Sequence, residues 1–386
     1  MGILVITWNF PPRQGGIERL IFNLCHGLRK RHQLFVITSF APSVDRKEDW
    51  TFRPKWSGLL PFFLYALCHG FFLLRRNPEI KVILGGSALV TPLVLLLGKI
   101  FHRKVVVNVH GSDLVYPSTL YQSLCVRWLR LCDRVVANSR YTASLAEEKK
   151  VGRGSVCVIT PGVDWEPLGP LRVTGVKDVK REMALEGRKV LLYVGRLVRR
   201  KGVKEFLQRS LVNIVAEIPE VCFVIVGENA TESLIHGDDV LSEIRDLVRE
   251  LRLENQVRLI GRLSDGDLAR FYQAADLMVL PVLSLETDVE GFGMVLLEGA
   301  AAGKPAVATR VGGIPDAVED GKSGIIVEPE DYPSMTKAVV NLLRDDQTRW
   351  AVGGYAQRRA REQFGWDLII RKYEEIFESL ANGKCG

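Results

Sequence analysis

Several marks of common protein classes are missing from this sequence of 386 residues. Its seven cysteines form no C-x-x-C pair and are odd in number, which predicts reduced, mostly buried thiols and no disulfide framework. Residues 1–7 lack a basic stretch and a small-residue cleavage site, so we expect a buried strand and not a signal peptide. The glycines after this strand, Gly15 and Gly16, do not have the G-x-G-x-x-G spacing of NAD enzymes. These absences favour a cytoplasmic protein that does not use NAD.

Acidic residues are scarce in the first part of the chain. Residues 1–170 contain 22 Lys and Arg but only 11 Asp and Glu, whereas the remainder contains 30 and 34. A basic first half suggests an anionic partner for that half, either nucleic acid or an anionic membrane surface. A charge imbalance without functional meaning is the alternative.

Apolar runs of strand length alternate with longer amphipathic segments, which predicts parallel βαβ units. The length suggests two domains, because single cores seldom grow beyond ~250–300 residues. A run rich in proline and glycine, residues 161–175, suits a linker. We therefore expect two doubly wound domains, residues 1–165 and 176–365, that face each other across a cleft. The predicted strands are 3–7, 34–39, 82–85, 104–109, 134–138, 157–160, 189–194, 221–227, 257–261, 277–280, 305–309 and 324–327.

Residues 56–74 are almost continuously apolar and are flanked by Lys55, Arg75 and Arg76. Their number reaches the length of a membrane span, but Pro61 and other interruptions argue against one. A buried helix is the favoured prediction. A helix lying in a membrane interface is the alternative.

Two polar features follow predicted strands of the first half. Gly15 and Gly16 precede a predicted helix (residues 17–31), where backbone N–H groups can approach an anion. His110, with Asp113 nearby, follows a buried strand at the edge where ligands approach such sheets. Each feature is also compatible with an ordinary turn or a structural histidine. A further helix is predicted over residues 118–131.

Two cations follow the strand over residues 189–194. Arg196 and Lys201 can converge on the carboxyl end of this strand, where they could hold a diphosphate and stabilise its charge as it leaves. The alternative is a solvated basic turn, because Arg199 and Arg200 are also present.

The most specific motif contains two carboxylates, Glu290 and Glu298, separated by a glycine-rich turn and the start of a helix. The helix N-terminus near Met294 can bind phosphate. Glu298 can accept hydrogen bonds from ribose hydroxyls, and Glu290 can contact the hydroxyls of a sugar.

Taken together, Arg196-x4-Lys201, Glu290-x7-Glu298, Gly15-Gly16 and His110 resemble glycosyltransferase family 4, the retaining enzymes with the GT-B architecture. The resemblance covers nearly the whole chain. It implies two facing Rossmann-like domains and a final helix, within residues 366–386, that crosses back to the first domain. It also implies an acceptor-binding first domain and a donor-binding second domain.

The resemblance further implies a role for each site residue. Gly16 would lie against the donor diphosphate, with Gly15 beside it, and Arg196 and Lys201 would bind the phosphates. Glu290, together with the amides of Gly291, Phe292, Gly293 and Met294, would hold the transferred sugar, and Val295 would also belong to the donor site. Glu298 would hold the ribose, His110 would lie near the reacting face of the sugar, and Arg262 and Leu263 would follow the strand that contacts the base.

No convincing Asp-x-Asp motif is present; Asp238-Asp239 and Asp345-Asp346 suggest surface turns. We therefore expect catalysis without a metal or cofactor, with cations and a helix N-terminus replacing the metal charge. The resemblance favours a front-face mechanism, in which the departing phosphate helps to deprotonate the acceptor.

The motif around Glu290 is similar to that of mannosyltransferases that use GDP-mannose, including those acting on phosphatidylinositol lipids. The predicted function is transfer of mannose to a glycan or lipid-linked acceptor of the cell envelope, by a cytoplasmic enzyme that could be peripheral on the inner face of the membrane. UDP-glucose or UDP-GlcNAc as donor, and an epimerase or phosphorylase of the same architecture, are the alternatives. A nucleic-acid-binding protein is disfavoured because no recognisable module is present.

Overall fold

The structure, a computed structural model, describes residues 1–13, 15–40, 49–164, 168, 173–229 and 239–383. It divides into two compact units, residues 1–162 with 366–386 and residues 163–365. Asp238, Cys385 and part of the expected linker (165–167 and 169–172) lie outside the described residues. The expectation of an irregular run up to residue 175 is wrong at its end, because a helix begins at Val173.

The first unit is built on a parallel sheet. Its strands are β1 (Gly2–Ile6), β2 (Gln33–Ile37), β3 (Thr51–Phe52), β4 (Ile80–Gly85), β5 (Lys104–Val109), β6 (Arg134–Ala137) and β7 (Val156–Val158). They are ordered β3-β2-β1-β4-β5-β6-β7. The predicted strands match these within two residues at each end. Sequence patterning missed β3, because two residues are too few to show a period.

The second unit contains a second parallel sheet. Its strands are β8 (Lys189–Val194), β9 (Val221–Val226), β10 (Val257–Gly261), β11 (Leu277–Leu280), β12 (Ala306–Thr309) and β13 (Gly324–Val327). They are ordered β10-β9-β8-β11-β12-β13. Every residue of β9 and β11 is buried, as expected for parallel strands covered by helices on both faces.

Helices connect the strands of each sheet. Those of the first unit are α1 (Gly16–Arg29), α2 (Leu59–Arg76), α3 (Thr91–Phe101), α4 (Ser112–Val115), α5 (Thr119–Tyr121) and α6 (Arg140–Glu148). Helical turns of other types continue α5 through residues 122–131. Those of the second unit are α7 (Val173–Glu182), α8 (Val203–Phe206), α9 (Val212–Glu217), α10 (Val240–Glu250), α11 (Asp265–Ala274), α12 (Met294–Ala301), α13 (Ile314–Ala317), α14 (Tyr332–Arg344) and α15 (Asp346–Phe364).

The last helix, α16 (Trp366–Ala381), belongs to the first unit and packs against α1. A Cβ added to Gly27 of α1 would lie 1.8 Å from Cδ1 of Ile370, so the glycine permits this close approach. Glu374 adds an ion pair with Arg31 (2.8 Å) and a hydrogen bond with Nε2 of His32 (2.9 Å).

The direction of winding reverses once in each sheet, between β1 and β4 and between β8 and β11. In open parallel sheets the loops after two such strands separate and leave a crevice at their carboxyl ends. The strand order therefore points to the loops after β8 and β11 as the place for a ligand in the second unit.

The prediction of a buried helix over residues 56–74 is wrong for much of its surface. The segment forms α2, but only 28% of its 18-residue apolar window is buried. Phe62, Ala66 and Gly70 face the sheet, whereas Leu60 and Leu64 are exposed. By length and composition, this is the one helix among the described residues that could cross a membrane.

Candidate functional site

The loops after β8 and β11 approach each other through a glycine. Gly202 has φ of +66°, and a Cβ placed on it would lie 2.0 Å from the carbonyl oxygen of Pro281. Next to it, the backbone N–H of Leu283 donates to the carbonyl oxygen of Arg200 at 2.7 Å. No L side chain fits this geometry without displacing backbone, so glycine is what lets the two loops meet.

A buried cluster of four charged residues joins these loops. Nζ of Lys201 donates to Oε2 of Glu290 at 2.6 Å, and Arg200 also bonds to this carboxylate. Nε of Arg200 forms an ion pair with Oδ1 of Asp288 at 2.9 Å. All four residues are at most 8% exposed. Water can therefore contribute little to their charge balance, and each carboxylate depends on the cations beside it.

The charges of this cluster perturb its titration. Burial alone would raise the pKa of Glu290, but Lys201 and Arg200 outweigh burial and lower that pKa to about 2. The pKa of Lys201 is also lowered, and burial is the main cause. The positive charges of Arg200 and Arg196 lower this pKa further, whereas Glu290 raises it. Glu290 is thus an ionised acceptor of hydrogen bonds at neutral pH.

The two cations predicted for a diphosphate have different environments. Lys201 is buried, whereas Arg196 is exposed. The backbone of Arg196 is held by Tyr193, whose hydroxyl donates to its carbonyl oxygen at 2.9 Å. The structure thus brings Lys201 and Glu290 into contact and leaves Arg196 at the solvent side of the same loop.

Helix α12 begins at the same edge of the sheet. Gly293 caps it in a left-handed conformation (φ +86°), and Met294 is its first residue. N–H groups in the first turn of a helix have no partner within it and can bind an anion. Phe292 is buried and packs against Phe364, so its side chain anchors the turn and only its backbone can serve a ligand.

Glu298 lies one turn into α12 and is buried. The hydroxyl of Tyr272, on α11, donates to its Oε2 at 2.5 Å. This bond fixes one carboxylate oxygen and the direction in which the group can accept further bonds.

Arg262 and Leu263 follow β10, two strands away from β8, and Arg262 is exposed. Backbone hydrogen bonds join the carboxyl ends of β8, β9 and β10. The N–H of Gly195 donates to the carbonyl oxygen of Val226 at 3.0 Å, and the N–H of Gly227 donates to that of Gly261 at 2.9 Å.

Sequence reasoning missed three participants. Arg200 was named only as part of the alternative, a solvated basic turn, but it is buried against Asp288 and Glu290, whereas Arg199 is exposed. Asp288, two residues before Glu290, was given no role. Gly312 lies against the backbone of Glu290, because a Cβ added to Gly312 would be 2.0 Å from the carbonyl oxygen of Glu290. The same oxygen accepts a hydrogen bond from the backbone N–H of Gly313 at 2.9 Å. Two adjacent glycines, Gly312 and Gly313, shortly after the predicted strand 305–309 were the available signal for Gly312.

In the first unit, His110 is buried after β5. Its Nε2 lies 2.8 Å from the carbonyl oxygen of Gly86, and its Nδ1 has no hydrogen-bond partner among the described residues. Asp113 fixes the turn by accepting from the backbone N–H of His110 (2.8 Å) and of Ala88 (3.1 Å). The loops after β4 and β5 are thereby tied together at the carboxyl ends of their strands.

Gly15 and Gly16 lie exposed at the start of α1. The carboxylate of Glu18 occupies the space beside Gly15, where an added Cβ would be 2.4 Å from its Oε2, and Asn9 donates to the other oxygen at 2.8 Å. An acidic side chain thus lies at the helix N-terminus where the sequence predicts an anion. The roles of Gly15, Gly16 and His110 stay predictions.

Two family models match the chain. The model of glycosyltransferase family 4 matches residues 14–166, and that of glycosyl transferases group 1 matches residues 177–359. A GDP-mannose-dependent alpha-(1-6)-phosphatidylinositol monomannoside mannosyltransferase of Mycolicibacterium smegmatis is 27% identical, over 99% of this chain and 100% of that protein. A D-inositol 3-phosphate glycosyltransferase of Corynebacterium urealyticum is 31% identical, over 64% of this chain and 56% of that protein.

Solved structures share the fold over the full chain. HepE of Anabaena, in complex with UDP, superposes with a TM-score of 0.79 at 21% identity, covering 98% of this chain and 100% of that one. Sucrose-phosphate synthase of Thermosynechococcus elongatus gives 0.80 at 21% identity, with 99% of each chain covered. Both the sequence matches and the two parallel sheets agree with the architecture expected from the motifs. The chain belongs to glycosyltransferase family 4 and has the GT-B fold.

Proposed function

We propose that this glycosyltransferase transfers mannose from GDP-mannose to a glycan or lipid-linked acceptor, with retention of configuration and without a metal ion. The observation that carries the proposal is the buried contact between Lys201 and Glu290, next to the N-terminus of α12, at the switch point of the second sheet. In this proposal the second unit binds the donor and the first unit binds the acceptor.

Different residues of the site would bind different parts of a nucleotide-diphosphate sugar. Lys201, Arg196 and the first-turn N–H groups of α12 supply positive charge for the diphosphate and for the charge that develops as it leaves. Their number supports a site that works without a divalent cation. Glu298 accepts bonds from the ribose, and Tyr272 orients it.

Glu290 suits hydroxyl binding better than nucleophilic attack. Its pKa of about 2 and its ion pairs with two cations make it a weak nucleophile and exclude it as a general acid at neutral pH. Retaining hydrolases use a nucleophilic carboxylate about 5–5.5 Å from an acid. The ion-paired state of Glu290 favours instead the front-face route, in which the leaving phosphate accepts the proton of the acceptor.

GDP-mannose is favoured as donor because the mycolicibacterial relative, aligned over its whole length, is named for it. We propose the same acceptor class, a lipid-linked intermediate of a cell-envelope glycan, used in the cytoplasm at the inner face of the membrane. UDP-glucose is the main alternative, since HepE has been crystallised with that nucleotide sugar.

Thermal denaturation in the presence of GDP, UDP and ADP tests the donor base, because a ligand that binds the native state raises its apparent stability. We expect GDP to give the largest increase in melting temperature, and a larger increase with UDP would contradict the assignment. Identifying the anomer of the product by NMR tests retention. Assays with EDTA test metal independence, and product analysis without an acceptor separates transfer from epimerase activity.

Arg196→Ala tests the role of charge in the transition state. We expect kcat to fall much more than KM for the donor rises, since the cation acts chiefly on the leaving diphosphate. Arg199→Ala, one exposed cation further along the same loop, is the control. An unchanged kcat in Arg196→Ala would remove that residue from the mechanism.

A further inference from the structure

Three helical segments of the first unit form one continuous outer layer: α2, α3 and residues 119–131. Helix α2 packs on α3, with the rings of Phe71 and Phe101 4.9 Å apart and Gly70 close to Leu97. Helix α3 in turn packs against residues 122–131. Because all three segments are crossovers leading toward β7, right-handed connection places them on the same face of the sheet.

This layer exposes most of the large apolar side chains found at the surface. Among the described residues, sixteen large hydrophobic side chains are exposed, and twelve of them lie in this layer or directly before it. Soluble monomers rarely expose contiguous apolar areas of this kind, which mark interaction sites. The twelve are Trp56, Leu59, Leu60, Leu64, Phe71, Phe72, Leu96, Ile100, Leu120, Leu124, Trp128 and Leu131.

The charges around these side chains are all of one sign. Residues 55–76, 88–103 and 114–131 contain no Asp or Glu. Exposed cations border the apolar side chains in each segment, and the guanidinium of Arg76 lies 4.1 Å from the ring centre of Phe72. Long basic side chains on an apolar surface can keep their charge at the level of lipid headgroups while their stems stay in the apolar region. The exposed cations are Lys55, Arg75, Arg76, Lys99, Arg127 and Arg130.

We propose that the apolar-basic face, formed by these twelve apolar side chains and six cations, docks on an anionic lipid bilayer. Apolar side chains enter the interface while the cations bind anionic headgroups. A second copy of the chain fits less well, because a two-fold interface would bring the cations of this face against each other, and these segments contain no acidic residue to pair with them. The inference rests on the proposed lipid-linked acceptor for its purpose, but it extends the contact from one helix to three segments, and it needs no transferase activity to be tested.

Co-sedimentation of the full chain with vesicles tests the proposal. We expect binding to vesicles of phosphatidylcholine with phosphatidylglycerol, weaker binding as salt rises, and much weaker binding to phosphatidylcholine alone. Trp56→Glu and Leu131→Glu, at the two ends of the face, should each reduce binding at least about tenfold. Trp350→Glu is the matched control, because Trp350 is as exposed as Trp56 (72% each) but belongs to the second unit.

A second pair of variants tests the charge. Arg75→Gln should weaken binding to anionic vesicles about fivefold, which corresponds to one basic residue near the surface. Arg371→Gln, an exposed cation on α16, should leave binding unchanged.

Three outcomes would overturn the proposal: no binding at low salt, equal binding to neutral and anionic vesicles, or equal loss in Trp56→Glu and Trp350→Glu. A dimer in sedimentation velocity that Trp56→Glu converts to a monomer would assign the face to a second copy. The face would be assigned to an acidic soluble protein if such a protein displaced the chain from the vesicles and bound the Trp56→Glu variant more weakly than the wild type. Stabilisation by GDP should persist in every variant, so failure of docking stays separable from failure of the proposed donor site.

Discussion

Replacing Arg200 with methionine removes the central cation of the buried cluster and keeps much of the side-chain stem. In the native protein this guanidinium contacts both Asp288 and Glu290. After the change, Lys201 is the remaining member of the cluster with a positive charge, and of the two carboxylates it contacts Glu290. The cluster then contains two carboxylates, each 8% exposed, and one cation.

The size of the effect follows from this burial. Removing one partner of a buried ion pair costs about 3–5 kcal/mol, because the group left behind keeps its desolvation without its compensation. An exposed pair contributes about 0–1 kcal/mol. We therefore expect Arg200→Met to lower the free energy of unfolding of the second unit by about 3 kcal/mol or more. We also expect it to raise the pKa of Glu290, since burial is then opposed by Lys201 alone.

Urea denaturation followed by circular dichroism measures the effect, with Arg199→Met as the control at the adjacent exposed position. The double variant Arg200→Met/Asp288→Asn tests the cause. If an uncompensated charge produces the loss, removing the charge of Asp288 should restore part of the stability. If lost packing produces it, the double variant should be no more stable than Arg200→Met. The loss should also persist at high salt, because buried pairs are weakly screened.

Two results would refute this reasoning. One is an unfolding free energy for Arg200→Met within about 1 kcal/mol of the wild type, the range of an ordinary surface substitution. The other is an equal loss in Arg199→Met, which would make the effect a property of the loop and not of the buried contact. Donor turnover should fall in Arg200→Met even where the protein is fully folded, because this residue positions Glu290.

Gly202→Ala should destabilise the protein by more than Gly187→Ala in the same denaturation assay: both glycines have φ near +66 to +69°, but an added Cβ clashes with Pro281 only at Gly202 and meets open space at Gly187. Similar losses would mean that backbone strain alone matters. Tyr272→Phe should weaken GDP binding about fivefold in calorimetry, the value of one hydrogen bond, whereas Tyr355→Phe, which breaks a tyrosine–glutamate bond elsewhere in the second unit, should not. Equal affinities would exclude a positioning role for Tyr272. Because the pKa of Glu290 falls from 4.5 to about 2 on folding, its stabilisation is complete above pH 4.5 and is lost as pH falls through about 2. The stability difference between wild type and Glu290→Gln should shrink over that window, and a constant difference would contradict the pKa.

The strands and their order of occurrence could be predicted because buried parallel strands leave continuous apolar runs. Lys104–Val109, Lys189–Val194 and Leu277–Leu280 were predicted to the residue. Their arrangement in the sheet could not be predicted from these runs, since the pattern along one strand does not identify its neighbours. His110 and Arg196 were found because they stand just after such strands, and Glu290 and Glu298 because a glycine-rich turn and the start of a helix lie between them.

Which side chains of a loop are buried could not be predicted from the sequence. Arg199 and Arg200 are adjacent and chemically identical, yet one faces solvent and the other lies against Asp288. Their difference depends on Gly202 and on the loop after β11, eighty residues away in the chain. The same limit applies to α2, whose composition fits a buried helix, because composition does not reveal that only one side of the helix meets the sheet.

The cluster also explains why this site should need an anionic ligand to become complete. The two loops contain four basic residues (Arg196, Arg199, Arg200 and Lys201) and three acidic residues (Glu286, Asp288 and Glu290), so they hold an excess of one positive charge at neutral pH. Burial and the other cations already lower the pKa of Lys201, which means that its charged form is not fully compensated by Glu290. A diphosphate beside the N-terminus of α12 would supply the missing negative charge, and the three N–H donors of Lys201 allow it to bind phosphate without releasing Glu290. Sugar binding through Glu290 and phosphate binding through Lys201 would then be coupled by a contact that exists before the donor arrives.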